Sequence, residues 1–264
     1  MFSHKSKNEF LGKEFVWLWG ALAFQAGFAN AGGFLACARF VSHMTGFGTL
    51  IGVSLSQFDY EEAIELISAP LSFLLGAMTS AMAVDRRVAR GQRPNYLQVM
   101  AGLVLLFTVV AAGGIHGLFG PFGESREVRD FTLMSLLCFA CGMQNACFAS
   151  LTRGQIRTTH LTGLLTDMGV TFVKLLFVAK AREKVVLSRT NKIRLLTFFS
   201  FSIGSAVSAI VFSRIQYAGF LFLVFSSSTM LLVVAFKQHQ VDRSRELNLA
   251  RRGVREKAAL SLKP

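Results

Sequence analysis

Long apolar blocks alternate with short polar joints along most of this chain. The blocks run Phe15–Ala36, Ala63–Val84, Tyr96–Leu118, Phe131–Thr152, Thr159–Ala179, Ile193–Ser213 and Tyr217–Phe236. Each reaches the roughly 20 residues that a helix needs to cross a hydrocarbon core about 30 Å thick. An eighth apolar stretch, Ser42–Ser56, is too short to span comfortably.

The blocks repeat. Phe28-Ala-Asn30-Ala31 precedes Ser42-His43-Met44-Thr45-Gly46-Phe47-Gly48-Thr49-Leu50-Ile51-Gly52 in the first half. Met143-Gln144-Asn145-Ala146 precedes Thr159-His160-Leu161-Thr162-Gly163-Leu164-Leu165-Thr166-Asp167-Met168-Gly169 in the second. Both fit Ser/Thr-His-Met/Leu-Thr-Gly-x-x-Thr-x-x-Gly, offset by 117 residues from His43 to His160, while Asn30 and Asn145 match at 115. Downstream, Gly76-x-x-x-Ser80-Ala81 parallels Gly204-x-x-x-Ser208-Ala209. Each copy reads as a long span, a His-Thr-Gly segment, a small-residue span and a final span.

The placement of lysine and arginine orients the copies. If each His-Thr-Gly segment enters and leaves the membrane on one side, each repeat crosses three times. The inside then holds Lys5, Lys7, Lys13, the loop of Arg86, Arg87, Arg90 and Arg93, Arg153, Arg157, the cluster from Lys180 to Arg194, and the C-terminal basic residues. The outside holds only Arg39, Arg126, Arg129 and Arg214. Two fully crossing segments would separate the charges less well, so the positive-inside bias favours the first arrangement. An odd number of crossings per copy inverts the second against the first, a design recurrent among transporters. The expected architecture is an all-α membrane protein of about six transmembrane helices plus two broken or re-entrant segments, in two inverted-topology repeats. Its parts are a cytoplasmic segment 1–14, repeat 1 over 15–118, an external loop 119–130, repeat 2 over 131–236, and a basic cytoplasmic tail 237–264.

Composition agrees with this class. Of 264 residues, 52% are hydrophobic and 16% charged, where a soluble domain carries about 25% charged. The net charge of +13 sits at the ends of spans, without the aromatic-interleaved basic face of a nucleic-acid binder. The first block lacks a small-residue cleavage site and is read as a retained span. The tail reads as a segment near anionic headgroups that helps set orientation. Cys37, Cys138, Cys141 and Cys147 all fall in or beside apolar blocks; the Cys138-x-x-Cys141 pair has no second ligand pair at zinc spacing and is read as packing.

Polar groups within the blocks carry the candidate chemistry, because ionisable residues are costly in a bilayer. Ser42 and Thr159 are expected to cap the helices that begin at the two motifs. A buried helix start has positive partial charge and free amide donors, suited to an anionic or dipolar group. One reading therefore places Asn30, Ser42, His43, Thr45 and Gly46, with Asn145, Thr159, His160, Thr162 and Gly163, around a shared central solute site. The other has the same side chains cross-link helices by hydrogen bonds. Gln25 and Gln144 are read mainly as such cross-links. Asp167 is the candidate coupling acid; Lys174, on the same face two turns on, is expected to snorkel to the surface. Glu65 is read as interfacial, and His116 and His239 as solvated.

The run Phe28-Ala-Asn30-Ala-Gly-Gly-Phe34 with Ser42-His43-Met44-Thr45-Gly46, and Gly142-Met-Gln144-Asn145-Ala146 with Thr159-His160-Leu-Thr162-Gly163, resembles the YoaK-like family of bacterial membrane proteins. The resemblance covers roughly residues 15–236. It implies a multi-pass protein of the bacterial inner membrane and carries no biochemical activity with it. Family members often have Asp at the position of Asn30 and Asn at that of Phe47, so an ion site at the first position would be altered here or moved to Asp167.

The leading functional expectation is a secondary transporter or permease for a small solute, with membrane lipids as surroundings, both termini cytoplasmic, no resident cofactor, no metal and no nucleic acid. A second copy of the chain is a further candidate partner. No Gly-x-x-x-x-Gly-Lys loop points to ATP, and no Gly-x-Ser-x-Gly elbow, carboxylate pair or metal triad points to an enzyme. The alternative is a non-transporting structural or interaction protein.

Overall fold

The computed structural model describes residues 13–123, 128–152, 159–236 and 238–240, and among these there is no strand. The helices are α1 (Lys13–Cys37), α2 (Met44–Ser56), α3 (Tyr60–Ala83), the short α4 (Asp85–Ala89), α5 (Tyr96–Ile115), α6 (Val128–Thr152), α7 (Leu161–Val173), α8 (Ala181–Ile215) and α9 over residues 221–236. A π-helical stretch, Lys174–Val178, extends α7, and a 3-10 turn, Gln216–Phe220, joins α8 to α9. The N-terminal segment 1–12, Arg126, Arg153, Arg157 and nearly all of the basic tail lie outside the described residues.

Five stretches are long and apolar enough to cross a membrane: Tyr60–Ala89, Tyr96–Ile115, Phe131–Leu151, Leu161–Val178 and the helical run Ala181–Gln240. Leucine, methionine and phenylalanine side chains such as Leu71, Leu74, Met78 and Phe225 lie exposed along α3 and α9. In water such a surface would aggregate, whereas hydrocarbon solvates it. By length and composition this is an all-helical membrane protein. The helix α1, read from sequence as the first span, is not among the five. Gln25, Asn30 and the glycines at 20, 27, 32 and 33 dilute its apolar character. Burial compensates: Trp19, Leu22, Ala23, Ala26, Phe28 and Ala29 are all enclosed, so most of α1 packs against protein, while Trp17 and Phe34 stay exposed.

Close approach of backbones organises the packing. A Cβ on Gly27 would run into the carbonyl of Phe201, and one on Gly204 into that of Phe24, so α1 and α8 touch backbone to backbone. A Cβ on Gly76 would meet the Phe139 carbonyl, and one on Gly142 the Phe73 carbonyl, so α3 and α6 do the same. Small residues at such crossings let van der Waals contact and interhelical hydrogen bonds replace the hydrophobic drive that lipid does not supply. Ser205 Oγ donates to Gly27 O at 3.1 Å and Ser208 Oγ to Phe28 O at 2.8 Å. Ser80, at the position that parallels Ser208, is buried with no hydrogen-bond partner among the described residues. Each close pair runs parallel, since contacts advance together from Gly20–Ser200 to Gly32–Phe212 and from Ser68–Ser135 to Asp85–Ser150. By contrast α1 and α6 run antiparallel, with Trp19 against Phe148, Leu22 O accepting from Gln144, and Gly33 beside Leu137.

Helix ends differ from the sequence reading in two places. The helix α8 begins at Ala181, not at the apolar onset Ile193, so its first 12 residues, about 18 Å of helix, are a polar extension with exposed Arg182, Lys184, Arg189 and Lys192. At the starts of α2 and α7 the N-cap positions are His43 and His160, and neither side chain caps an amide. Ser42 and Thr159, expected as caps, are bonded elsewhere. A side chain that caps does so at α3, where Asp59 Oδ1 accepts from the Glu62 amide at 3.0 Å.

Candidate functional site

Asn30 lies two turns of helix before α1 ends at Cys37, about 10 Å back along its axis. Its Oδ1 accepts from the Ser42 amide at 3.1 Å and the Ser42 hydroxyl at 2.8 Å. The link Ala38–His43 therefore doubles back along α1 before α2 begins. Ala38 makes the reversal with φ of 51°, a left-handed conformation costly for a residue with a Cβ. The second motif has the same layout: Asn145, two turns before the end of α6 at Thr152, donates from Nδ2 to Thr159 Oγ1. Both motif helices thus start alongside the interior of the preceding long helix and not at its end.

The His-x-x-Gly spacing has a steric cause. Each histidine at the N-cap folds its ring over the first turn, onto the glycine three residues later. A Cβ on Gly46 would strike His43 Nδ1, and one on Gly163 would strike the His160 ring. His43 and His160 are both exposed, as are Thr45 and Thr162.

At their far ends the two helices are tied to the next helix by a polar residue in matching register. Ser54, buried, donates to Glu62 Oε2 at 2.9 Å, and Glu62 Oε1 holds Arg39 Nη2 at 3.0 Å. Thr171, 117 residues after Ser54 and also buried, accepts from Arg194 Nη1 at 2.9 Å. Arg194 further bonds Asn191 Oδ1 at 3.1 Å and the Asp167 carbonyl at 3.2 Å, and its Nη2 pairs with Asp167 Oδ2 at 2.9 Å. Asp167 is thus ion-paired across to α8, while Lys174 opens the π-helical stretch. Arg39 and Arg194 escaped the sequence reading, which treated both as loop charges; the shared register of Ser54 and Thr171 was the available signal.

A cleft of about 170 Å³ opens at the first motif, lined by Phe34, Arg39, Phe40, His43, Phe47 and Leu50 among others. No residue of the second motif lines it, and α2 packs on α3 while α7 packs on α8. Asn30 and Asn145 are engaged with Ser42 and Thr159 outside it. Deeper between α1, α6 and α9, Gln25 Nε2 donates to Ser226 Oγ at 2.9 Å and Ser227 Oγ at 2.7 Å, and Gln144 Nε2 donates to Gln25 Oε1 at 3.4 Å. This buried amide cluster cross-links three helices, as its sequence reading anticipated. All four cysteines are buried, and none is in a disulfide among the described residues. Among the described residues no group of three or more His, Cys, Asp or Glu side chains is placed to hold a metal ion.

A model of a protein family of unknown function, DUF1275, matches residues 18–236. That span nearly coincides with the 15–236 region on which the YoaK-like resemblance rests. No curated protein and no solved structure matches the chain.

Proposed function

The chain belongs to this family of unknown function, and we propose that it is a secondary transporter or permease for a small solute, built as two inverted repeats in the bacterial inner membrane with both termini cytoplasmic. The observation that carries the proposal is the pair of motif helices starting two turns inside α1 and α6, each held by an asparagine. Broken segments that begin within the membrane and present helix N-termini are how many carriers build a solute site from backbone. The antiparallel run of α1 and α6, with the matched glycine crossings α1–α8 and α3–α6, supports inversion of the copies. In this reading the motif residues named above form the solute-binding elements, and Asp167, held by Arg194 at rest, is the coupling acid. Membrane lipid and the solute are its partners, and no catalytic step is assigned to any residue.

The structural alternative draws on the same bonds. Asn30–Ser42, Asn145–Thr159 and the Gln25 cluster are each satisfied within the protein, as glue between helices would be. Reconstitution decides between them. Proteoliposomes holding the full chain should accumulate or exchange a solute from a panel of labelled organic anions, amino acids and sugars, and Thr45→Val with Thr162→Val should slow it. Absence of any flux above empty vesicles, with those substitutions lowering only thermal stability, would favour the structural protein.

A further inference from the structure

Around the cleft at the first motif, apolar wall and polar head are separated. Phe34 and Phe40 stack at 4.4 Å, and Phe47 and Leu50 complete the apolar lining. Arg39 and His43 are its polar side chains, with the His43 ring edge-on to Phe40 at 6.2 Å. Arg39 spends Nη2 on Glu62, and its Nε and Nη1 donors make no bond among the described residues. Glu62 does not line the cleft, and Ser54 fixes it in turn, so the guanidinium is held from behind. The His43 side chain makes no hydrogen bond among the described residues, and a neutral imidazole still offers one N–H donor. The Ala38 reversal, strained for a non-glycine residue, sets Arg39 at this mouth. Strain of that kind persists where surrounding contacts over-determine it, often at ligand sites.

We propose that this cleft binds a small organic monocarboxylate, its carboxylate on Arg39 and His43 and its apolar body against Phe34, Phe40 and Phe47. The guanidinium N–H donors not given to Glu62 can meet a carboxylate oxygen, and aromatic walls reward a ring or a short branched chain. A volume of about 170 Å³ is below the roughly 300–1,000 Å³ of drug-sized pockets, which restricts the occupant to a single ring or its equivalent. This deepens the carrier reading by naming the class of solute at the first motif, and rests on that reading only for the claim that the bound molecule is cargo.

Calorimetric titration tests it with the full chain in phosphatidylcholine nanodiscs and benzoate, benzyl alcohol and benzylamine as probes. Benzoate should bind saturably, at least tenfold more tightly than the other two. Arg39→Gln should weaken benzoate at least tenfold, and so should the double variant Arg39→Gln/Glu62→Gln, which leaves no unpaired carboxylate behind. His116→Gln, exposed beyond the end of α5 and outside the cleft, should leave it unchanged. No saturable benzoate binding, or binding matched by benzyl alcohol or benzylamine, overturns the proposal. Equal loss in His116→Gln overturns it too, as does complete displacement of benzoate by phosphatidylglycerol in the nanodisc, which would make the cleft a headgroup site. Benzoate binding without flux in proteoliposomes would remove the carrier reading and leave the site. Flux of another solute with no benzoate binding would do the reverse.

Discussion

Asn30 receives both the amide and the hydroxyl of Ser42 on one oxygen, while in the second copy Asn145 gives its amide hydrogen to the Thr159 hydroxyl. The same pair of residue types thus makes the same tether with opposite donor sense. An oxygen acceptor suffices at position 30, and a carboxylate supplies one. Asn30→Asp should keep the fold, in line with the acid that YoaK-like sequences often carry there. Asn30→Leu should lose two hydrogen bonds at about 0.5–1.5 kcal/mol each, lowering stability by roughly 1–3 kcal/mol. Thermal unfolding in detergent measures both. Equal losses in the two variants would show that the acceptor role is misread.

Glycines divide sharply by position. Alanine at Gly27, Gly76, Gly142 or Gly204 must push two backbones apart, at a cost of about 1–3 kcal/mol for overpacking. At Gly48, Gly52 and Gly169 an added Cβ meets nothing within 4 Å. Alanine there should be neutral or stabilising by up to about 1 kcal/mol, the helix-propensity gain over glycine. A thermal-stability series across the seven positions should fall into these two groups.

Asp167 and Arg194 should not be equivalent on mutation. The aspartate side chain is 60% exposed and the arginine 14%, so the pair itself contributes at most about 1 kcal/mol. Asp167→Asn should fold and insert normally while abolishing the pH dependence of uptake, if the acid couples transport. Arg194→Met strips Thr171, Asn191 and the Asp167 carbonyl of a donor and should destabilise the protein more. Uptake with an unaltered pH profile in Asp167→Asn would dismiss this residue from coupling.

Topology is open to direct labelling. In a chain with its native cysteines replaced, Arg90→Cys should react only from the cytoplasm and Leu118→Cys only from the periplasm. Both positions are exposed at opposite ends of α5. Periplasmic labelling at 90 would end the inverted arrangement proposed above.

Much of the helical order was legible because lipid imposes a simple rule: the long apolar blocks at 63, 96 and 131 all reappear as helices with small shifts at the ends. The motif pairing was legible too, since His43 and His160 each begin a helix after an Asn tether. Hydropathy did not show that Gln25 on α1 is enclosed by protein, and it missed the start of α8, where a helix continues beyond its apolar part. Capping preference misassigned Ser42 and Thr159, because a bond to an asparagine on another helix outcompetes the local one. No pattern along the chain announced that Arg39 and His43 would flank one cleft. Their nearness depends on the reversal at Ala38, which no residue preference marks.

The tightest contacts of α1 are with a helix made much later. Ser208 bonds Phe28 across 180 residues of chain, and at roughly 5–20 residues per second the ribosome needs about 9–36 s to cover that distance. During that interval α1 exists with Gln25 and Asn30 and without α8 or α9, the partners that bury its face and satisfy its glutamine. A buried glutamine without those partners is costly in bare hydrocarbon. Until the second half arrives, the Gln25 amide therefore lacks the Gln144, Ser226 and Ser227 partners that it has in the folded chain.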